Sequence, residues 1–354
     1  MIERTPVPRG FQPACQAAIP FGARNVRVNG HALVLPRPNP TRVIAFGDTG
    51  CRIKKGAEVQ DCNDPDKWPF EQVATRAASE KPALVIHVGD YLYREATCPQ
   101  GSEAKCADTP SGDNWDAWNA DFFTPAAKLL AAAPWAFSRG NHETCARSWR
   151  GWFYYLDPRP WTAKCQDYSP AYLTKLGTFE LVMLDSSKVT EDEPDAKQTK
   201  TYAAQLASVH ATNAWLVDHH PVWGFKEGPA GAPVVPVTPV LQEAWDRASP
   251  AHIHLVLSGH VHLFELMSYD RTRPTQLVTG DGGTNLADPI PDSVNGTLVR
   301  GNAVVASQTQ RQFGYTLLVK SGKAWQLTLK NRLQHILLSC SILDGPAKCQ
   351  PPTD

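Results

Sequence analysis

Arg42-Val43-Ile44-Ala45-Phe46-Gly47-Asp48-Thr49-Gly50 is the stretch from which the fold is read. Four consecutive apolar side chains end on Gly-Asp-x-Gly, the pattern of a buried strand that delivers a carboxylate at its carboxyl end. The arrangement recurs. Ala83-Leu84-Val85-Ile86-His87-Val88 precedes Gly89-Asp90-Tyr91-Leu92-Tyr93, and Asn213-Ala214-Trp215-Leu216-Val217 precedes Asp218-His219-His220-Pro221. His252-Ile253-His254-Leu255-Val256-Leu257 leads to Gly259-His260-Val261-His262, and a shorter run, Pro134-Trp135-Ala136-Phe137, leads to Gly140-Asn141-His142-Glu143. Helices are expected over 69–80, 115–133, 196–211 and 239–249. Strands alternating with helices predict an α/β fold built from parallel βαβ units. Such sheets bind ligands just past the carboxyl ends of their strands, so the five motifs should converge on one crevice.

Read singly, each residue has an ordinary explanation. An Asp after a strand is a turn former or helix cap, and a Tyr is a half-buried aromatic with a satisfied hydroxyl. The ordered set is different: it supplies Asp, Asp, Tyr, Asn and several His, a ligand set for two hard or borderline metal ions. Asp90 has two oxygens with which to bridge the ions. Asp48, Tyr93 and His262 would complete one site, and Asn141, His219 and His260 the other. His260 and His262 project the same way in an extended chain, but a turn past the strand end would splay them onto two ions. A phenol with an ordinary pKa of about 10 is a poor ligand for most divalent ions at neutral pH. A strongly acidic trivalent ion such as Fe(III) would deprotonate it.

These blocks resemble those of the calcineurin-like metallophosphoesterases, and within them the purple acid phosphatases. That family's pattern is Asp-x-Gly, Gly-Asp-x-x-Tyr, Gly-Asn-His-Asp/Glu, Val-x-x-His and Gly-His-x-His, and the match runs from about residue 42 to 330. The resemblance implies a four-layer αββα sandwich with two mixed β-sheets flanked by helices. It implies a ferric site from Asp48, Tyr93 and His262, with Asp90 bridging to a divalent site (Fe, Zn or Mn) from Asn141, His219 and His260. It further implies that His142 hydrogen-bonds the substrate phosphate and protonates the leaving alcohol, and that phosphate monoesters are hydrolysed at acidic pH by metal-hydroxide attack. One block departs from the pattern. His219 has Leu216 three residues before it, whereas His220 has Val217. We take His219 as the ligand because Pro221 stands two residues after it, and assign His220 to the substrate pocket or to orienting its neighbour. Gly50, where the wider phosphodiesterase and nuclease branches have a His, together with Tyr93, sets this chain apart from them. Two other readings remain: a phosphodiesterase acting on nucleotides or phospholipid headgroups, and a non-catalytic module that uses the ferric site for binding.

The rest of the chain bounds these expectations. Lys plus Arg and Asp plus Glu number 35 each over 354 residues, so no overall field favours nucleic acid or an anionic membrane. The expected partner is a small phosphate ester, and oligomeric state is not legible. No run approaches the roughly 18 apolar residues of a membrane span. Eight of the nine cysteines fall into sequence-local pairs, Cys51 with Cys62, Cys98 with Cys106, Cys145 with Cys165 and Cys340 with Cys349, leaving Cys15; eight cysteines allow 105 connectivities. Such usage points to a secreted or periplasmic protein, although residues 1–40 hold no signal-peptide h-region. The domains expected are an arm over 1–41, a catalytic domain over 42–332 and a disulfide-anchored tail over 333–354. The loops 51–67, 94–114 and 224–238 are candidates for a substrate-selecting rim. His87, His210, His252 and His254 are expected to pack in or beside the sheet, and Asp281-Gly282-Gly283-Thr284 to form a tight turn rather than a phosphate cradle. Glu143 is left between orienting His142 and lying on the surface. Asn295-Gly296-Thr297 is a glycosylation acceptor in a eukaryotic source only.

Overall fold

Continuous apolar strands demand cover on both faces, and the architecture supplies it. The computed structural model describes the chain apart from residues 55, 57, 230–233, 271–272, 344 and 351–354. A seven-stranded sheet runs in the order Lys348–Gln350, Ile336–Ile342, Ala324–Asn331, Gly314–Ser321, Arg42–Phe46, Leu84–His87, Trp135–Phe137. Its last three strands are parallel and the others antiparallel. An eight-stranded sheet runs Leu298–Val299, Asn302–Gln310, Phe264–Tyr269, Thr275–Thr279, Ile253–Ser258, Ala214–Val217, Phe179–Met183, Tyr172–Leu176, with a parallel centre from Thr275–Thr279 to Phe179–Met183.

Alternation within each strand assigns its faces. Val43, Ala45, Leu84 and Ile86 of the first sheet meet Leu181, Val217, Leu255 and Leu257 of the second in one core. Ile44, Phe46 and Val85 point the other way, against the helices Phe70–Ser79 and Thr124–Ala132. Val182, Leu216 and Val256 likewise pack under Ala196–Ser208 and Pro239–Ala248. The expected four-layer αββα sandwich is therefore present, and its layers follow from the period of two in each strand.

The helix expected over 115–133 forms with an interruption. Trp115–Trp118 starts on Asn114, whose side chain accepts the Ala117 N–H at 3.1 Å, and a single π turn over Asn119–Phe123 leads into Thr124–Ala132. Pro125 lacks the N–H that a regular turn would use there, which favours the wider turn. The strands after residue 263 escaped the sequence reading, since several, such as Asn302–Gln310, mix polar and apolar residues.

The ends of the chain pack on the body. Arg4 donates to the carbonyls of Phe153, Tyr154 and Asp157 at 2.7–2.9 Å. Ile336–Ile342 and Lys348–Gln350 form the edge of the first sheet, where Cys340 sits directly opposite Cys349. All four sequence-local disulfides form, and Cys15 is free and exposed. His87 is fully buried, but His210, His252 and His254 are exposed, so only the first packs as expected.

Glu265, buried in the strand Phe264–Tyr269, accepts the Phe225 N–H at 3.0 Å and has no basic partner among the described residues. Burial therefore pushes its pKa from 4.5 up to about 8. A raised carboxyl pKa adds stability below the unfolded value, and that stability is lost as pH rises through the folded value. We expect the wild-type melting temperature to fall between about pH 5 and pH 8. Glu265→Gln, neutral throughout, should flatten part of that fall; identical pH profiles for the two proteins by calorimetry would remove Glu265 as a cause.

Candidate metal centre

Each motif begins within a few residues of a strand's carboxyl end, and the chain turns sharply there. Asp48, Asp90 and His260 adopt left-handed backbone conformations, with φ of 56°, 59° and 68°. The first two loops hold each other in this state: the Asp48 N–H donates to the Gly89 carbonyl at 3.0 Å and the Thr49 N–H to the Asp90 carbonyl at 3.1 Å. Gly140 is required by close approach, because a Cβ there would lie 2.0 Å from Asp90 Oδ1.

The side chains converge at two points. Tyr93 Oη lies 3.1 Å from Asp48 Oδ1, 2.9 Å from Asp90 Oδ2 and 3.0 Å from His262 Nε2. On the other side of Asp90, Asn141 Oδ1 lies 2.9 Å from His219 Nε2 and 3.1 Å from His260 Nδ1, with His219 Nε2 3.3 Å from Asp90 Oδ2. All seven residues proposed as ligands from the sequence are thus brought to one place, divided as expected around Asp90. Their outer atoms set the tautomers. His219 Nδ1 faces the Val88 carbonyl at 2.9 Å and His262 Nδ1 the Asn285 carbonyl at 2.8 Å. A carbonyl only accepts, so those nitrogens carry the protons and, in the neutral rings, Nε2 of each turns a lone pair inward.

These residues fit metal ions. The Asn141 oxygen faces only acceptors, so a network of protons alone would require the amide turned over. A cation requires it as it stands. Electrostatics agree. Burial opposes a charged imidazole at His219, but Asp90 and Asp48 outweigh it and hold the pKa up at about 10. Burial, then Asp90 and Asp48, pushes the Tyr93 phenol well above its usual range. A centre that draws a proton onto a buried imidazole and resists a phenolate is short of positive charge, which bound ions would provide.

The substrate side is a cavity of about 640 Å³ over the centre, lined by His142, Arg147, Arg52, Lys54 and Lys226 among others. The His142 N–H donates to Asp90 Oδ1 at 2.8 Å, and its ring lies 3.7 Å from that of Tyr93. Its Nδ1 is 3.1 Å from both the Leu92 carbonyl and Glu95 Oε1. Arg147 pairs with Glu95 and reaches the His142 ring at 2.7 Å. His220 lies elsewhere: it is fully buried against His260, with ring centroids 4.1 Å apart, and does not line the cavity. Its ring nitrogens have no hydrogen-bond partner among the described residues.

Several supports were missed. Glu143 neither lies on the surface nor orients the His142 ring. It is fully buried and accepts the N–H groups of Tyr91 at 2.9 Å, Gly140 at 3.1 Å, Asp90 at 3.2 Å and Leu92 at 3.3 Å. Asp121, carried on the π turn, accepts Tyr93 N–H at 2.8 Å and Cys51 N–H at 3.0 Å, and pairs with Arg94 at 2.6 Å. The Asp281–Thr284 segment is a buried brace under the Asp48 loop: Gly282 N–H donates to Gly47 O at 3.0 Å and Thr284 N–H to Asp48 O at 2.9 Å. A Cβ on Gly282 would lie 2.4 Å from that same Gly47 oxygen. Glu191 stands in a loop with no motif around it, and Glu95 and Arg147 follow the second and third motifs as ordinary loop charges, so no sequence signal marked them.

The family model for the calcineurin-like phosphoesterases matches residues 41–264. The chain belongs to that family and is a metallophosphoesterase, a class that hydrolyses phosphoric esters with bound metal ions. Solved structures share the fold. The purple acid phosphatase PPD1 from yellow lupin (Lupinus luteus) seeds superposes with TM-score 0.51 at 16% identity, over 87% of this chain and 54% of the other. PhoD gives TM-score 0.53 at 12% identity, over 92% and 74%. GAP50, the anchor in the inner membrane complex of Plasmodium, gives 0.51 at 12% identity, over 86% and 89%. This chain therefore spans about half the length of the lupin phosphatase. No curated protein matches it in sequence. No helix among the described residues is long and apolar enough to cross a membrane.

Removing Glu143 leaves four buried N–H groups without their acceptor, each costing about 1–3 kcal/mol when unsatisfied. Glu143→Ala should lower the melting temperature and release metal from a loaded sample. A variant that melts as the wild type does and keeps its metal would show that the Asp90 loop holds its shape without this carboxylate.

Proposed function

We propose that this protein hydrolyses phosphate monoesters at acidic pH, at a dinuclear centre of the purple acid phosphatase type. The observation that carries the reading is the Tyr93 hydroxyl, within 3.1 Å of both the Asp48 and Asp90 carboxylates. Asp48, Tyr93 and His262 would hold Fe(III), Asn141, His219 and His260 a divalent iron, zinc or manganese ion, and Asp90 would bridge them. When bound, the ions would lower the pKa of a water and neutralise charge on the phosphate oxygens.

The chain's own groups handle the rest. Arg147, held in place by Glu95, presents a cation beside the position of the phosphate. His142 lies tilted against Tyr93 with Nδ1 toward Leu92 O and Glu95, and Arg147 Nη2 stands 2.7 Å from both ring nitrogens. Nε2 would give its proton to the departing alcohol once the phosphate draws that guanidinium off the ring. Burial lowers the pKa of His142 most, against Asp90 and Glu95, which raise it. The imidazolium therefore forms only toward acid pH, which is the physical basis for an acid optimum. The substrate is a small phosphate ester that enters the cavity of about 640 Å³. Four disulfides suit an oxidising compartment and support a secreted or periplasmic location.

The decisive test is the visible spectrum of iron-loaded protein beside a Tyr93→Phe variant, with metal content measured on both. A band in the parent that is lost or shifted in the variant is the expected result. No band despite bound iron would reject tyrosinate ligation and favour two divalent ions.

His142→Ala should slow esters with poor leaving groups roughly 10²- to 10⁴-fold and esters with good leaving groups much less. Equal losses across a leaving-group series would reduce His142 to binding the phosphate. Relative rates on mono- and bis-aryl phosphates separate a monoesterase from a diesterase.

A further inference from the structure

Glu191 belongs to none of the five motifs, yet it stands in the wall of the cavity beside His142, Arg147 and Lys226 and touches the centre from there. Its Oε2 lies 3.2 Å from His260 Nε2, and its Oε1 3.6 Å from the buried His220 Nε2. The rest of the His260 residue is held as well: its N–H donates to Asp48 Oδ2 at 3.0 Å and Nδ1 lies 3.1 Å from Asn141 Oδ1. A carboxylate only accepts, so the Nε2 proton of His260 belongs to Glu191 and Nδ1 keeps a lone pair directed at the proposed divalent site. Glu191 differs from the anchors of the other two imidazoles, which are neutral carbonyls, in carrying a full charge. It is also held in place: its carbonyl accepts the Thr238 N–H at 3.0 Å, and Thr190 N–H donates to Gln198 Oε1 at 2.8 Å.

We propose that Glu191 is a positioning residue that fixes the tautomer of His260 and strengthens it as a ligand, so that it sets the affinity of the divalent site and not of the ferric one. The reasoning rests on the two-ion reading given above. A carboxylate behind a ligating imidazole fixes the ring and raises its basicity, and losing such a partner typically costs roughly 10- to 100-fold in metal affinity. His262, which would bind the other ion, takes its support from Asn285 O and is out of the argument. The same three side chains, Glu191, His220 and His260, could themselves enclose an ion, since their ligand atoms lie within 4.8 Å of one another. That arrangement would require His260 to lose its second proton between two cations, which is why the positioning role is preferred.

The test is zinc affinity measured by competition with a chromophoric chelator, on wild type, Glu191→Gln, Glu191→Ala and the nearby exposed Glu193→Gln as control. Zinc stoichiometry and iron content are measured in parallel. The expected result is zinc affinity lowered roughly 10- to 100-fold in Glu191→Ala, less in Glu191→Gln, and unchanged in the control, with iron retained and its visible band unshifted. Unchanged zinc affinity, or equal loss of iron and zinc, would overturn the proposal. So would one zinc equivalent present in wild type and absent from Glu191→Ala while the remaining affinities hold, because Glu191 would then be a ligand. If wild type binds zinc tightly but shows no iron–tyrosinate band, the ferric reading fails while the zinc comparison still decides the role of Glu191.

Discussion

Two carboxylates buried side by side, with a phenol between them and imidazoles as their only basic contacts among the described residues, are what the rest of this structure is arranged around. Asp48 and Asp90 are 0–1% exposed, and an isolated buried carboxylate is strongly disfavoured unless a cation or donors compensate it. Both also sit in left-handed backbone, which costs a residue other than glycine of the order of 1–3 kcal/mol, less for Asp. Such a conformation persists only if the surroundings impose it.

The surroundings do so through backbone. The Asp48 and Asp90 loops bond to each other, Glu143 collects four N–H groups from Asp90 to Leu92 and Gly140, and Asp121 collects those around Tyr93. Beneath the first loop lies the Gly282–Thr284 brace. His87 adds a further tie, with Nε2 3.1 Å from Thr49 Oγ1 and Nδ1 accepting the Gly89 N–H at 3.2 Å. Three disulfides close loops beside the motifs, and Cys51 is itself bonded through its N–H to Asp121. The result is a preorganised nest of acceptors with imidazoles already turned with their ligating nitrogens inward, so that ions would enter a site needing little rearrangement beyond loss of the His219 proton.

How much of this was legible follows from the range of each interaction. The strands Arg42–Phe46 and Leu84–His87 were readable because burial on both faces leaves an unbroken apolar run. The helix Ala196–Ser208 falls within the expected span 196–211, and it starts on Asp195, whose side chain accepts the Lys197 and Gln198 N–H groups. Several antiparallel strands after residue 263 were not, because polar and apolar residues mix in them, as in Asn302–Gln310. Glu143 is next to a motif, but whether its carboxylate points at solvent, at His142 or at the Asp90 loop depends on the loop's path. Glu191 and Arg147 could not be assigned at all, since nothing local distinguishes them from other loop charges.

The sequence by itself determined the class of fold, the family, and the seven side chains proposed as ligands, because strand burial and side-chain chemistry are local properties written in residue type and spacing. Tertiary structure alone decided what stands behind those ligands: that His219 and His262 lean on carbonyls and His260 on Glu191, that His220 is buried away from the cavity, and that Asp281–Thr284 is a brace. Each of these depends on atoms separated by tens to hundreds of residues meeting within about 3 Å, and no local pattern encodes such a meeting.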